Sequence, residues 1–278
     1  FITTGGNYLG NNDGHCLVAK FQDYQTPDWA YIYASTGRDY GRHILELTDG
    51  SYVIHGKLNG DDNNYGLIHI GSTGTLLSAN QHVYPTDAYL NEIQPATSGG
   101  FFGTGSLELP ESMHNALLVK YSSPTVVDWA MTYDFGLREA GSSIVEASSG
   151  DLYMCGYSRG YNPTVRKVFV MKLDGTGAVS WAKSFQTNDY VYLNEVISTS
   201  DGGVVVSGDG NPLDGSSDDD DLFLFKFDSS GNLVFQKTYS DDGWDEITAI
   251  GESADGGIYI MGSTDSCCFS AYDVFLLK

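Results

Sequence analysis

Thirty-six aspartates and glutamates stand among 278 residues, so carboxylate chemistry is the first question this sequence raises. Glu92 and Glu195 recur at equivalent points of a repeating pattern, and Glu46, Glu146 and Glu252 share another. Carboxylates around one rim would suit a glycan-cleaving hydrolase or lyase, one as acid and one as base or nucleophile. Neither position breaks the repeat, however. There is no phosphate-binding loop or His-Glu-x-x-His pair. The expectation is no catalytic residue and no enzyme.

The acidic loop Asp214, Asp218, Asp219, Asp220 and Asp221 offers the oxygen donors that calcium takes. Against that stands the absence of EF-hand spacing and the ordinariness of solvated acids in a glycine-rich loop. Calcium is the one candidate ion; otherwise no cofactor is expected. His43 and His55 each lie six residues from the turn residue Asp49, so a hairpin would bring them together. A zinc or iron site needs a third ligand, for which Glu46 is the near candidate, and two ordinary strand histidines are the simpler expectation.

Of four cysteines, Cys267 and Cys268 are adjacent and Cys16 is distant; these three are disulfide candidates with the pairing open. Cys155 reads as a thiol buried in the strand Leu152–Tyr157. Tyr161 (in RGYNP) and Trp244 (in DDGWDE) sit in polar turns, where exposed aromatics suit sugar stacking or protein contacts. Tyr65, Tyr84, Tyr89, Tyr190 and Tyr192 also fall at or beside loops.

The elements that must position these groups are repeats. One column holds Lys20, His69, Lys120, Lys172, Lys226 and Lys278. A second holds Gly5, Gly56, Gly105, Gly156, Gly208 and Gly262, and a third Trp29, Ser78, Trp129, Trp181 and Phe235. Neighbours in a column are about fifty residues apart, the period of a propeller blade. Each unit has four apolar runs bounded by Gly, Asp, Asn and Ser clusters, the mark of antiparallel hairpins. The fold expected is all-β: a single six-bladed β-propeller of four-stranded antiparallel blades, with units near 1–34, 35–84, 85–135, 136–187, 188–241 and 242–278. In this phase the first blade lacks its innermost strand and the last its outermost. The lysines are expected to pair with the abundant acids, and the glycines to let strands crowd near the ring axis.

The runs DLFLFKFD (Asp221–Asp228), GNLVFQKTY (Gly231–Tyr239) and ADGGIYIMG (Ala254–Gly262) resemble the tandem propeller repeats of large secreted and cell-surface microbial proteins. The double glycine before an apolar strand is similar to kelch-type blades. The resemblance covers essentially the whole chain and is weaker over residues 60–115. It implies a scaffold or interaction module with no common catalytic set.

With 14 basic residues the formal charge is −22. Such a surface repels phosphate backbones and anionic lipid heads, so neither nucleic acid nor membrane is an expected partner. No apolar run approaches the ~20 residues that span a bilayer as a helix. The chain opens at Phe1 inside a strand pattern and is expected to be a trimmed segment of a longer polypeptide. The function expected is a non-catalytic extracellular scaffold or adhesive module of a larger surface protein, filament or appendage, whose partners are proteins or copies of itself. The alternative is a carbohydrate-binding propeller that takes glycans.

Overall fold

The computed structural model describes residues 1–8, 14–23, 25–34, 37, 39–58, 65–82, 87–110, 113–160, 166–187, 191–210, 221–239, 245–265 and 273–278. The chain divides into two compact units, Phe1–Thr132 and Tyr133–Lys278. Among the described residues the elements are strands in consecutive antiparallel arrays, with no α-helix.

In the first unit, array one is β1 (Ile2–Tyr8), β2 (Gly14–Phe21) and β3 (Pro27–Tyr33). Array two is β4 (Tyr40–Glu46), β5 (Tyr52–Lys57), β6 (Gly66–Ile70) and β7 (Leu76–Gln81). Array three is β8 (Ala88–Pro95), β9 (Phe101–Leu109), β10 (Met113–Ser123) and β11 (Val126–Tyr133). In the second unit, array four is β12 (Arg138–Glu146), β13 (Leu152–Arg159), β14 (Arg166–Leu173) and β15 (Val179–Thr187). Array five is β16 (Val191–Ser198), β17 (Val204–Gly210), β18 (Asp221–Phe227) and β19 (Leu233–Tyr239). Array six is β20 (Asp245–Glu252), β21 (Ile258–Thr264) and β22 (Asp273–Leu277). Strands pair in chain order within an array, so each array is a meander closed by tight turns. Gly256 at φ 80° and Gly231 at φ 82° take the left-handed corner of two such turns, a conformation costly for other residues.

The glycine column has a different cause from the one the sequence suggests. Every array that has a leading strand carries a β-bulge there, between Gly41/His43, Leu90/Glu92, Gly141/Ser143, Leu193/Glu195 and Ile247/Ala249. The bulge swings a carbonyl over the neighbouring strand. A Cβ at Gly56, Gly105, Gly156, Gly208 or Gly262 would overlap the carbonyl oxygen of Tyr40, Tyr89, Ala140, Tyr192 or Glu246. Local backbone crowding inside each array therefore demands glycine. Gly5, whose array has no strand on that side, meets nothing within 4 Å.

A second irregularity couples the other two columns. Lys20 pairs with Trp29, His69 with Ser78, Lys172 with Trp181 and Lys226 with Phe235, each just before a register shift. Columns one and three are thus cross-strand partners.

Core clusters lie between consecutive arrays of the same unit. Cys16 and Val18 of array one pack on Tyr52, Ile54, Ile68 and Ile70 of array two. Val53 and Leu67 of array two pack on Leu90, Ile93 and Phe101 of array three. In the second unit Tyr153, Cys155, Val168 and Val170 of array four meet Val191, Leu193, Val204, Val206 and Phe227 of array five. Val205, Leu222 and Leu224 of array five meet Ile247, Ile250 and Ile260 of array six. Each fully buried aliphatic side chain contributes about 1.5–3 kcal/mol. Array two thus has one face toward array one and the other toward array three, and array five is placed likewise between arrays four and six.

Candidate interaction site

The polar columns are taken up by the frame. Lys172, Lys226 and Lys278 pair with Asp151, Asp201 and Asp255 of their own arrays at 2.9, 2.6 and 2.7 Å. These aspartates sit in the turn between the first two strands, and each titrates below the ordinary carboxylate range because it accepts the lysine's hydrogen bond. Where the lysine becomes His69, its Nε2 lies 2.9 Å from Ser51 Oγ, which donates to Asp49 at 2.6 Å. Lys120 donates instead to the carbonyl oxygens of Gly99 and Tyr121.

The rim carboxylates are also engaged. Glu195, at the bulge of array five, accepts the Ile250 backbone N–H of array six at 2.7 Å. Ser143, at the bulge of array four, likewise accepts the Val196 N–H of array five at 3.2 Å. Glu92 accepts from Gln94 Nε2 at 2.7 Å, Glu46 from the Tyr52 hydroxyl at 3.4 Å, and Glu252 from Ser200 N at 2.7 Å. A carboxylate bound to a backbone N–H positions an array; the side chain is spent on structure.

His43 and His55 face each other in the β4–β5 register with ring centroids 6.2 Å apart. His55 is fully buried, and desolvation pulls its pKa down to about 3, so the ring is neutral. Among the described residues no three His, Cys, Asp or Glu side chains converge as a metal site. Tyr65 is buried, its hydroxyl bonded to that of Tyr121. Tyr192 accepts from Arg166 at 2.9 Å. Burial of Glu139, which accepts from Ser158 Oγ and Leu137 N, raises that carboxyl.

Cys16 corrects one expectation. It is a buried, unbridged thiol packed in an apolar cluster, with its sulfur 3.6 Å from Thr4 Oγ1. Cys155 is also a buried thiol. Asp221 is buried at the start of β18, in register with Gly210. Tyr161, Trp244, Asp214, Asp218, Asp219, Asp220, Cys267 and Cys268 lie outside the described residues.

One surface departs from the pattern. In array six, Tyr259, Met261, Val274 and Leu276 are 39, 42, 80 and 68% exposed. Their register counterparts in array four, Tyr153, Cys155, Val168 and Val170, are 1, 0, 1 and 1% exposed. The residue types are those of a core, in the position of a core, facing solvent. Contiguous exposed apolar patches often mark interaction surfaces. Lys278 frames it, paired to Asp255 and 5.2 Å above the Tyr259 ring, as Lys172 stands 5.7 Å from the Tyr153 ring. Sequence reasoning missed this surface, since nothing in a column of apolar residues says which member goes uncovered.

No protein-family profile matches the sequence. No curated protein matches it either. Among solved structures, extracellular domains 1-2 of Drosophila Semaphorin 1b align over 100% of this chain and 78% of that one, with TM-score 0.52 and 9% identity. Sqt1 from Chaetomium thermophilum aligns over 99% of this chain and 64% of its own, with TM-score 0.54 and 11% identity. Endo-arabinase from Bacteroides thetaiotaomicron VPI-5482 aligns over 84% and 92%, with TM-score 0.48 and 9% identity. The chain spans 57% of a eukaryotic initiation factor that it also matches. At such identities the likeness speaks to fold alone: this is an all-β chain whose structural neighbours are propeller-like folds.

Proposed function

We propose that the chain is a non-catalytic extracellular scaffold or adhesive module, one propeller domain of six kelch-like blades within a larger surface protein, filament or appendage, acting through protein–protein contacts. The observation that carries this reading is the apolar face Tyr259, Met261, Val274 and Leu276, exposed where equivalent residues are core. Supporting it, Glu195 and the lysines Lys172, Lys226 and Lys278 are bound within the frame.

Two measurements test it together. A photo-crosslinking residue at position 276 is expected to capture protein in the native surface setting, while polysaccharides incubated with the chain release no reducing ends. Depolymerisation that stops on Glu92→Gln or Glu195→Gln would overturn the reading in favour of an enzyme. Saturable glycan affinity lost on Trp244→Ala or Tyr161→Ala would overturn it in favour of a lectin.

A further inference from the structure

We propose that the cleft between arrays one and two binds a small organic cation, with Asp39 as the anionic anchor. The ligand class is a protonated amine on an apolar body about the size of an aromatic ring. This goes beyond the protein-contact reading, and none of the residues concerned belongs to the face that carries it.

Arrays one and two pack together inside the first unit, as arrays four and five do inside the second. A cleft opens at the same register positions in each pair. Tyr33, Ala34, Asp39, Ile68, Ala79 and Gln81 line the first. Their counterparts Phe185, Gln186, Val191, Phe225, Gln236 and Thr238 line the second. The second cleft therefore serves as an internal reference for the first. It measures about 140 Å3, whereas the first measures about 480 Å3. The larger value falls in the range of small-molecule sites.

Bulk and charge separate the two clefts. Ala34 and Ala79 stand where the second cleft has Gln186 and Gln236. Gly66 stands where Phe223 carries a ring, and the smaller Leu58 side chain packs over that glycine. The charge difference lies deeper. Val191 is an apolar member of the second unit's core, whereas its counterpart Asp39 is a carboxylate only 1% exposed. Its backbone N–H donates to Gly14 O at 2.7 Å, which fixes it against array one. Among the described lining residues Asp39 is the one charged group, and the Tyr33 hydroxyl is given to Gly74 O. Burial raises the pKa of the Cys16 thiol, the cross-strand partner of Tyr33, and the negative charge of Asp39 raises it further.

A carboxylate in an apolar wall selects a ligand that brings cationic hydrogen-bond donors, because low dielectric strengthens their attraction. An anionic ligand meets that carboxylate and a chain of formal charge −22, so it is repelled. A neutral ligand of the same shape gains the apolar contact without the ion pair. Ile32, Leu58, Ile68 and Leu76 supply the surface for the ligand's body.

The test is an NMR titration of the intact chain with 2-phenylethylamine, 2-phenylethanol and 3-phenylpropanoate. The amine is expected to bind saturably, with a Kd of about 1 mM or tighter, and the alcohol and the acid about tenfold more weakly or worse. Asp39→Asn should lower the amine's affinity by about tenfold or more and leave the alcohol's unchanged. Since substitution of a buried residue can disturb folding, the double variant Ala34→Gln, Ala79→Gln supplies a second arm. Both positions are exposed, and both take the residue of the narrower cleft. With its melting temperature unchanged, the double variant is expected to lose amine binding. No saturation by the amine at about 10 mM overturns the inference. So does an alcohol that binds as tightly as the amine. Amine affinity that survives Asp39→Asn or the double variant, in a folded chain, places the ligand elsewhere and overturns it as well. Protein capture at position 276 is measured separately, so failure here is distinguishable from failure of the protein-contact reading.

Discussion

The Glu195 carboxylate accepts the Ile250 backbone N–H at 2.7 Å across 55 residues of sequence. It stands at the bulge of one array and reaches a point just past the bulge of the next. Bulges are often devices for aiming a side chain; here two of them, with Ser143 on Val196 and Glu195 on Ile250, aim it at the next array's backbone.

Glu195→Ala should therefore cost about 1–3 kcal/mol of unfolding free energy, the range for a buried donor left unpaired. Glu195→Gln, which keeps an acceptor, should cost less than half of that. Urea denaturation followed by tryptophan fluorescence reads the difference, and equal losses in the two variants would refute the assigned bond.

Glycine substitutions should divide by whether a bulge lies opposite. Gly208→Ala forces a Cβ onto Tyr192 O and is expected to cost about 2 kcal/mol or more. Gly5→Ala meets open space and should stay within about 0.5 kcal/mol of the parent. Paired denaturation curves settle this.

The indole N–H of Trp29 donates to Ser72 O at 3.2 Å and that of Trp181 to Ser229 O at 3.1 Å, in both cases on the next array. Trp181→Phe keeps most of the buried area and loses the bond. A loss of about 0.5–1.5 kcal/mol is expected, with Trp29→Phe behaving alike. A Trp181→Phe variant as stable as the parent would show the ring acting through packing alone.

Acid should destabilise the first unit through His55. Its pKa falls from 6.5 to about 3 on folding because burial disfavours the cation. The unfolded chain therefore binds the proton first. Stability is whole above pH 6.5 and declines as pH falls from there toward 3, by at most about 4–5 kcal/mol. Asp201, held at about 2 by Lys226 and Thr199, adds a further loss below pH 4. His55→Thr, taking the residue found at the equivalent Thr104, should flatten the arm between pH 6.5 and 4.5. Denaturation midpoints against pH check it.

Much was legible in the residues alone. The strands Leu222–Phe227 and Leu233–Tyr239 and the turn at Asp255–Gly257 follow from alternating apolar runs and turn chemistry, which are local properties. The pairing of column lysines with acids follows too, because Lys172 and Asp151 belong to one repeat and recur with it. The histidine pair was placed correctly by its symmetry about Asp49.

What tertiary structure decided lies between repeats. Spacing marked Gly208 but could not say that a bulge carbonyl, rather than a crowded axis, excludes its side chain. Glu195 looked like a candidate acid until its partner 55 residues away was known. Cys16 looked available for a disulfide until its burial against array two was known. Above all, Val274 and Leu276 read as the same apolar column as Val168 and Val170. Periodicity records which side chains face a neighbour, and only the folded chain shows whether the neighbour is there: covered, they are core, and uncovered, they are exposed apolar surface.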